Sequence, residues 1–158
     1  TISKGGWGWK PNAPVWPLDS LIKKLVKVVC MDGNLLLNVG PNAAGEIEPE
    51  QVQRLKEMGA WLQQNGESIY GTRGGPIDYN ESWGGSTKKK NIIYLHILNI
   101  PASRSLVLPF KQQKIKQATY LVNGNTIDFL QNEESITFTF PNKSEKNIDT
   151  VIKLELND

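Results

Sequence analysis

The stretch DGNLLLNVGP, residues 32–41, decides how this sequence is interpreted. Residues 35–39 form a short apolar run that is interrupted only by Asn38, and Gly40-Pro41 closes it. Apolar side chains on both faces of an extended segment are typical of a parallel strand that is covered on both sides. We therefore predict a buried parallel strand at residues 35–39.

Helices are predicted on both sides of this strand. The first begins at residues 17–20, where Asp19 or Ser20 could accept hydrogen bonds from the first-turn amides. The second begins at residues 48–50, where Pro49 suits a first-turn position and the flanking acids suit the positive end of a helix. Helix, strand and helix in this order predict an α/β unit.

The second half of the sequence is all-β in character. Short runs rich in β-branched or alternating apolar residues are separated by turns. They cover residues 91–100, 105–108, 114–122, 126–130, 135–140 and 150–156. Asn123-Gly124 favours a hairpin turn. This pattern predicts a small antiparallel β-sandwich. We place the domain boundary between residues 1–76 and residues 77–158.

Composition excludes several classes of protein. Of the 158 residues, 39% are hydrophobic and 22% are charged, which is typical of a folded chain. A net charge of +2 with interspersed signs gives no nucleic-acid footprint, and no apolar run is long enough for membrane insertion. No signal peptide is visible and the sequence opens without Met, so we interpret it as a piece of a longer protein.

The single histidine and the single cysteine are interpreted as structural. His96 lies inside a predicted strand, and one histidine supports neither a histidine-based metal cluster nor a Ser-His-Asp triad. Cys30 lies among apolar residues of the first helix, where a buried thiol behaves as a small hydrophobic group. With one cysteine, no internal disulfide can form.

An aromatic cluster is the strongest local indication of a binding site. Trp7 and Trp9 alternate with glycines in the segment GGWGW, residues 5–9. Flat indole rings suit the apolar faces of sugars, but the same segment could instead be a hydrophobic plug that caps a core. Asn38 is the second candidate, near the end of the predicted strand, where barrel enzymes place functional groups. Its alternative role is to satisfy nearby loop amides.

Carboxylates are the remaining candidates, since glycoside hydrolysis needs only two of them. Five glutamates crowd the first half: Glu46, Glu48, Glu50, Glu57 and Glu67. Helix-start electrostatics account for the two that flank Pro49, and a solvated helix face accounts for Glu57. None of the five is assigned a catalytic role.

Several segments of residues 1–75 together resemble glycoside hydrolase family twenty-nine, the α-L-fucosidases. They are WGWKPN at 7–12, DGNLLLNVGP at 32–41, GEI at 45–47, LKEMGAWL at 55–62 and NGESIYGTR at 65–73. The resemblance implies the last βα units of a (β/α)8-like catalytic barrel, followed by the β-sandwich. It also implies a retaining mechanism that releases L-fucose from glycans.

The resemblance carries expectations about individual residues. In this family the aspartate nucleophile lies on an earlier strand of the barrel. The acid/base glutamate often lies just before the position that corresponds to Thr1. We therefore expect no catalytic residue in this chain. Trp7, Trp9 and Asn38 are expected to bind substrate, with no metal and no cofactor.

The expected partners are fucosylated glycans and the rest of the catalytic barrel. The expected location is periplasmic or extracellular, or lysosomal if the protein is eukaryotic. The alternative function is a non-catalytic carbohydrate-binding or structural β-sandwich module.

Overall fold

The computed structural model describes residues 1–111, 113–142 and 147–157. Two helices come first, α1 (Leu18–Cys30) and α2 (Pro49–Asn65), and a 3-10 turn (Gly66–Ser68) follows α2. Eight strands come after them: β1 (Arg73–Gly74), β2 (Gly84–Lys89), β3 (Ile92–Ile97), β4 (Ser105–Pro109), β5 (Ile115–Tyr120), β6 (Phe129–Gln131), β7 (Ser135–Thr139) and β8 (Thr150–Leu156). The two helices predicted for the first half and the all-β character predicted for the second half are confirmed, whereas the strand predicted between the helices is not seen in the described residues. None of the helices in the described ranges has the length and apolarity that crossing a membrane requires.

The helix starts agree with the sequence in one case and differ in the other. Helix α2 begins at Pro49, as predicted. Helix α1 begins at Leu18, so Asp19 and Ser20 lie inside its first turn, and no side chain caps it. The expected capping role is therefore wrong. Asp19 instead faces Lys23 one turn later, with 4.0 Å between their charged atoms.

The predicted parallel strand at residues 35–39 is not formed. Among the described residues no ladder includes this segment, and every strand pair is antiparallel. Leu36 is 91% exposed, whereas Leu37 and Val39 pack against the hydrophobic cluster of the helices. The backbone N–H of Ile2 donates a hydrogen bond to the carbonyl of Asn38 over 2.9 Å. A strand needs neighbouring backbone to pair its amides and carbonyls. The described chain provides ladder partners only from residue 73 onward.

Two antiparallel sheets make up the second half. One has the order β1-β2-β3-β8-β5 and the other has the order β4-β7-β6. Alternate residues of β3, namely Ile93, Leu95 and Ile97, enter a hydrophobic core that also contains Ile136 and Phe138 of β7. The two sheets therefore share one core, as the period-2 alternation of their strands requires.

The helices cover the other face of the five-stranded sheet. A second cluster joins Leu21, Ile22 and Val26 of α1 to Met58 of α2 and to Leu98, just after β3. Strand β3 is therefore buried on both faces, which explains why nearly all of its residues are apolar.

Strand β2 was not predicted from the sequence, because its residues, GGSTKK, include few that favour β-strands. Gly84 has a φ of 139°, and a Cβ there would lie 1.8 Å from the carbonyl oxygen of His96. A Cβ on Gly85 would lie 2.9 Å from the Cβ of Cys30. These glycines let β2 lie close to β3 on one side and to α1 on the other.

Candidate functional site

The tryptophan loop, residues 5–9, holds its rings outside the hydrophobic core. Gly5 and Gly6 have φ values of 98° and 133°, a backbone conformation that side-chain-bearing residues rarely adopt. Trp7 is 79% exposed and Trp9 is 42% exposed. Within the described residues these rings do not cap a core, and they present flat apolar surface to solvent.

The structure brings this loop against the segment that contains Asn38. A Cβ on Gly40 would lie 3.1 Å from the backbone nitrogen of Trp9, so the two backbones are in close contact. The N–H of Ile2 also donates to the Asn38 carbonyl over 2.9 Å. The residues that the sequence proposed separately therefore lie in neighbouring segments.

The side chain of Asn38 has an acceptor with no partner. Its Nδ2 donates to the Val39 carbonyl over 3.1 Å, whereas its Oδ1 is buried and accepts no hydrogen bond within the described residues. The alternative role, in which Asn38 satisfies loop amides, is not seen. An unpaired buried acceptor costs about 1–3 kcal/mol, so a donor from a ligand or a water would stabilise this position.

Glu48 contacts the candidate site, and sequence reasoning missed this contact. We attributed its carboxylate to helix-start electrostatics, and it does precede α2, but it makes no side-chain cap. Instead Glu48 Oε1 accepts a 2.8 Å hydrogen bond from the indole Nε1 of Trp9. No spacing rule could have found this pair, because the two residues are far apart in the chain.

Two other glutamates of the crowded region have structural partners. Glu67 Oε1 accepts from the Tyr94 hydroxyl (2.8 Å) and lies 2.9 Å from Lys153 Nζ. The ammonium of Lys153 and this hydroxyl hold the pKa of Glu67 below its usual value. Glu57 pairs with Arg54 on the same helix. The Glu67 contacts tie the turn after α2 to β3 and β8, whereas the Glu57 pair lies within α2.

The residues of the NGESIYGTR segment lie at the junction between helices and sheet. Arg73 binds Asp32 through two hydrogen bonds, Nε to Oδ1 (2.7 Å) and Nη2 to Oδ2 (2.5 Å). Gly74 N also donates to Asp32 Oδ1 over 2.8 Å. The guanidinium and this amide lower the pKa of Asp32. Nearby, the Thr87 hydroxyl of β2 donates to the Ser68 carbonyl over 2.7 Å.

His96 and Cys30 are structural, as expected from the sequence. His96 Nδ1 lies 2.6 Å from Asp149 Oδ2, and neither side chain is exposed. Cys30 is buried, and desolvation followed by the nearby Asp149 carboxylate raises the pKa of its thiol. A buried thiol with a raised pKa is a poor nucleophile.

Comparisons with known proteins find similar sequences and similar structures. The family model described as Alpha-L-fucosidase matches residues 1–67. A curated α-L-fucosidase of Branchiostoma floridae is 39% identical over 113 residues, which cover 68% of this chain and 25% of that protein. The plasma α-L-fucosidase of Homo sapiens is 36% identical over 115 residues, with the same two coverages.

A solved structure is similar over nearly the whole chain. It is a GH29 α-L-fucosidase from Bacteroides thetaiotaomicron, trapped as a covalent intermediate in complex with 2-fluoro-fucosyl fluoride. The TM-score is 0.87 at 25% sequence identity, and the match covers 99% of this chain and 37% of that one. The chain thus spans about a quarter of the curated relatives it matches. From the matched family model, the curated relatives and this structure, we conclude that the chain belongs to the α-L-fucosidase family.

Proposed function

We propose that this chain is the C-terminal part of a retaining α-L-fucosidase that releases L-fucose from glycans. The matched relatives are named as α-L-fucosidases, and one is trapped as a covalent intermediate, the species that a retaining mechanism forms. We assign no catalytic residue to this chain. The nucleophile and the acid/base belong to the remainder of the catalytic domain.

The proposal divides the chain as the sequence predicted. Residues 1–76 would be the end of the (β/α)8-like catalytic domain, and residues 77–158 would be a C-terminal β-sandwich. The shared core of the two antiparallel sheets supports the sandwich. The apolar segment 35–39, which has no strand partner in the described ranges, supports the barrel, since a closed barrel would provide neighbours on both sides.

The contribution of this chain to the reaction is to position the sugar. The exposed ring of Trp7 would cover the apolar face of fucose, and Trp9 would be oriented by its hydrogen bond to Glu48. Asn38 Oδ1 would accept from a sugar hydroxyl, directly or through one water. Contacts of this kind hold the anomeric carbon between the two carboxylates of a retaining site.

The observation that carries the proposal is the close contact between the tryptophan loop and the Asn38–Gly40 segment. The test is Trp7→Ala in the intact enzyme, assayed on an aryl fucoside. We expect KM to rise about tenfold, equivalent to about 1.4 kcal/mol of lost contact, with Tm almost unchanged. Trp16→Ala is the matched control. Trp16 is 39% exposed in the same N-terminal region, but its ring lies against Lys4.

A sharp fall in Tm with constant KM would instead make Trp7 a packing residue and contradict the proposal. Hydrolysis by this chain alone would contradict the placement of the carboxylates. The exposed tryptophans also suit the second candidate, a carbohydrate-binding module without chemistry. Saturable binding of micromolar fucose to the isolated chain, followed by tryptophan fluorescence, would favour that module.

The compartment and the partners follow from the same proposal. The relatives include a plasma enzyme, which supports an extracellular location for this protein, with periplasmic and lysosomal locations as the equivalents in other cells. The proposed partners are fucosylated glycans and the rest of the catalytic barrel.

A further inference from the structure

A second concave site lies between the C-terminal end of α2 and the start of β8. Its volume is about 410 Å³, within the usual range of small-molecule sites, about 300–1,000 Å³. Trp61, Gln64 and Asn65 of α2 form one wall, Tyr120 and Asn123 form another, and residues 147–151 form the third. We call it the α2–β8 pocket. It shares no residue with the tryptophan loop or with Asn38.

Two aromatic side chains line this pocket from different elements. Trp61 comes from α2 and Tyr120 from β5, and both are half-buried, so part of each ring remains accessible. Burial raises the pKa of the Tyr120 hydroxyl, which therefore stays a neutral donor. Aromatic faces with one polar tip suit a ligand that has both C–H surface and hydroxyl groups.

The polar groups of the pocket are mainly neutral amides. Gln64, Asn123 and Asn147 each offer an amide. Asp149 also lines the pocket, but its carboxylate is buried and bonds to His96. No lysine or arginine is among the described lining residues. An anionic ligand would find no compensating cation among these residues, whereas a neutral ligand with donors and acceptors would match the amides.

Two residues on the walls also retain buried acceptors. Asn65 Nδ2 donates to the Trp61 carbonyl, which fixes the amide orientation and leaves Oδ1 without a partner within the described residues. Asp149 uses Oδ2 for His96, and its Oδ1 is likewise unpaired in the described part of the chain. Both oxygens are shielded from solvent, so they would contact a ligand only through a buried water.

We propose that the α2–β8 pocket binds one neutral sugar unit of a glycan. The rings would cover the C–H face of the sugar. The amides of Gln64, Asn123 and Asn147 would bind its hydroxyls. This inference goes beyond the proposed function, because the pocket does not depend on the tryptophan loop.

The test measures sugar affinity in the intact protein that carries this chain. Fucose, galactose, glucose and N-acetylglucosamine are titrated separately at millimolar concentrations, with saturation-transfer NMR as the readout. We expect at least one sugar to bind saturably, and Gln64→Ala to weaken that binding about tenfold, as expected for a lost hydrogen bond. Gln63→Ala is the matched control, because Gln63 is the exposed neighbour on the same helix and does not line the pocket.

A second variant and a second arm keep the test decisive. Asn147→Ala, at an exposed lining residue, should weaken the same sugar, and Trp7→Ala should leave this binding unchanged even where it alters turnover. The proposal is overturned if no sugar saturates, or if Gln63→Ala weakens binding as much as Gln64→Ala. It is also overturned if Trp7→Ala abolishes all sugar binding.

Discussion

His96 Nδ1 and Asp149 Oδ2 lie 2.6 Å apart, and neither side chain is exposed to solvent. His96 is in β3 and Asp149 immediately precedes β8, so the contact joins the start of β8 to the helix-facing side of the sheet. Removal of one member of a buried polar pair leaves the other without a partner in a low-dielectric environment.

We expect Asp149→Ala to lower the free energy of unfolding by about 3 kcal/mol, because it strands His96. Urea denaturation measures the change. Asp128→Ala, at an exposed position, is the control and should change stability by no more than about 0.5 kcal/mol. If Asp149→Ala cost no more than this control, the pair would have no structural role.

The contact between Gly40 and the tryptophan loop gives a second prediction. Gly40→Ala would place a Cβ 3.1 Å from the Trp9 nitrogen and 3.2 Å from the Gly8 carbonyl carbon, both of them backbone atoms. We expect a destabilisation of about 1–3 kcal/mol, with a change in tryptophan emission as the loop shifts. Thermal denaturation and fluorescence measure the two effects.

Gly59→Ala is the matched control for Gly40. Gly59 lies inside α2, and a Cβ there would meet no atom within 4 Å. Alanine is the better helix former, so this variant should be stabilised by about 0.5–1 kcal/mol. Equal effects of the two substitutions would refute the close contact at Gly40.

The hydrogen bond from Trp9 to Glu48 gives a third prediction. In the intact enzyme, Glu48→Ala should raise KM for an aryl fucoside about threefold to tenfold, because the indole loses an acceptor worth about 1 kcal/mol. Glu48→Gln retains a side-chain carbonyl and should recover most of the loss. Glu50→Ala, one residue inside α2, should leave KM unchanged. A larger effect at Glu50 than at Glu48 would exclude this role.

The Asp32–Arg73 pair gives a prediction about pH. Because the native pKa of Asp32 is lowered, the pair contributes its full stability above the unfolded value, about 3.9. The contribution is lost as the pH falls from there through the native pKa. We therefore expect the Tm difference between the wild type and Asp32→Asn to be constant near neutral pH and to shrink below about pH 4.

Asp19→Asn provides the comparison, since its carboxylate lies 4.0 Å from Lys23 at an exposed position. Near neutral pH its Tm should lie close to that of the wild type. A difference for Asp32→Asn that grew on acidification would contradict the sign of the pKa shift.

Much of the β half was predictable because its alternation is local. The run 135–140 alternates apolar and polar residues, and β7 occupies residues 135–139 with Ile136 and Phe138 fully buried. The helix α2 was predictable for the same reason, with Pro49 in its first turn. Patterns of this kind state which side chains need burial, whatever the rest of the chain does.

The candidate site was predictable only in part. Sequence reasoning proposed Trp7, Trp9 and Asn38, and the structure places the tryptophan loop in contact with the Asn38–Gly40 segment. Sequence reasoning could not propose the hydrogen bond between Glu48 and Trp9. A glutamate just before a helix is already explained by the favourable interaction of its charge with the helix N-terminus. The role of these residues in binding substrate remains a prediction.

By itself, the sequence determined the two helices, most strands of the β half, the buried character of Cys30 and the family of the chain. The tertiary structure alone decided that the glycine-rich segment 84–89 forms a strand and that the apolar segment 35–39 pairs with no strand of the described chain. It also decided that His96 pairs with Asp149. The physical reason is that hydrogen bonds between distant segments depend on which backbone lies alongside. Local side-chain patterns specify burial but do not specify the partner.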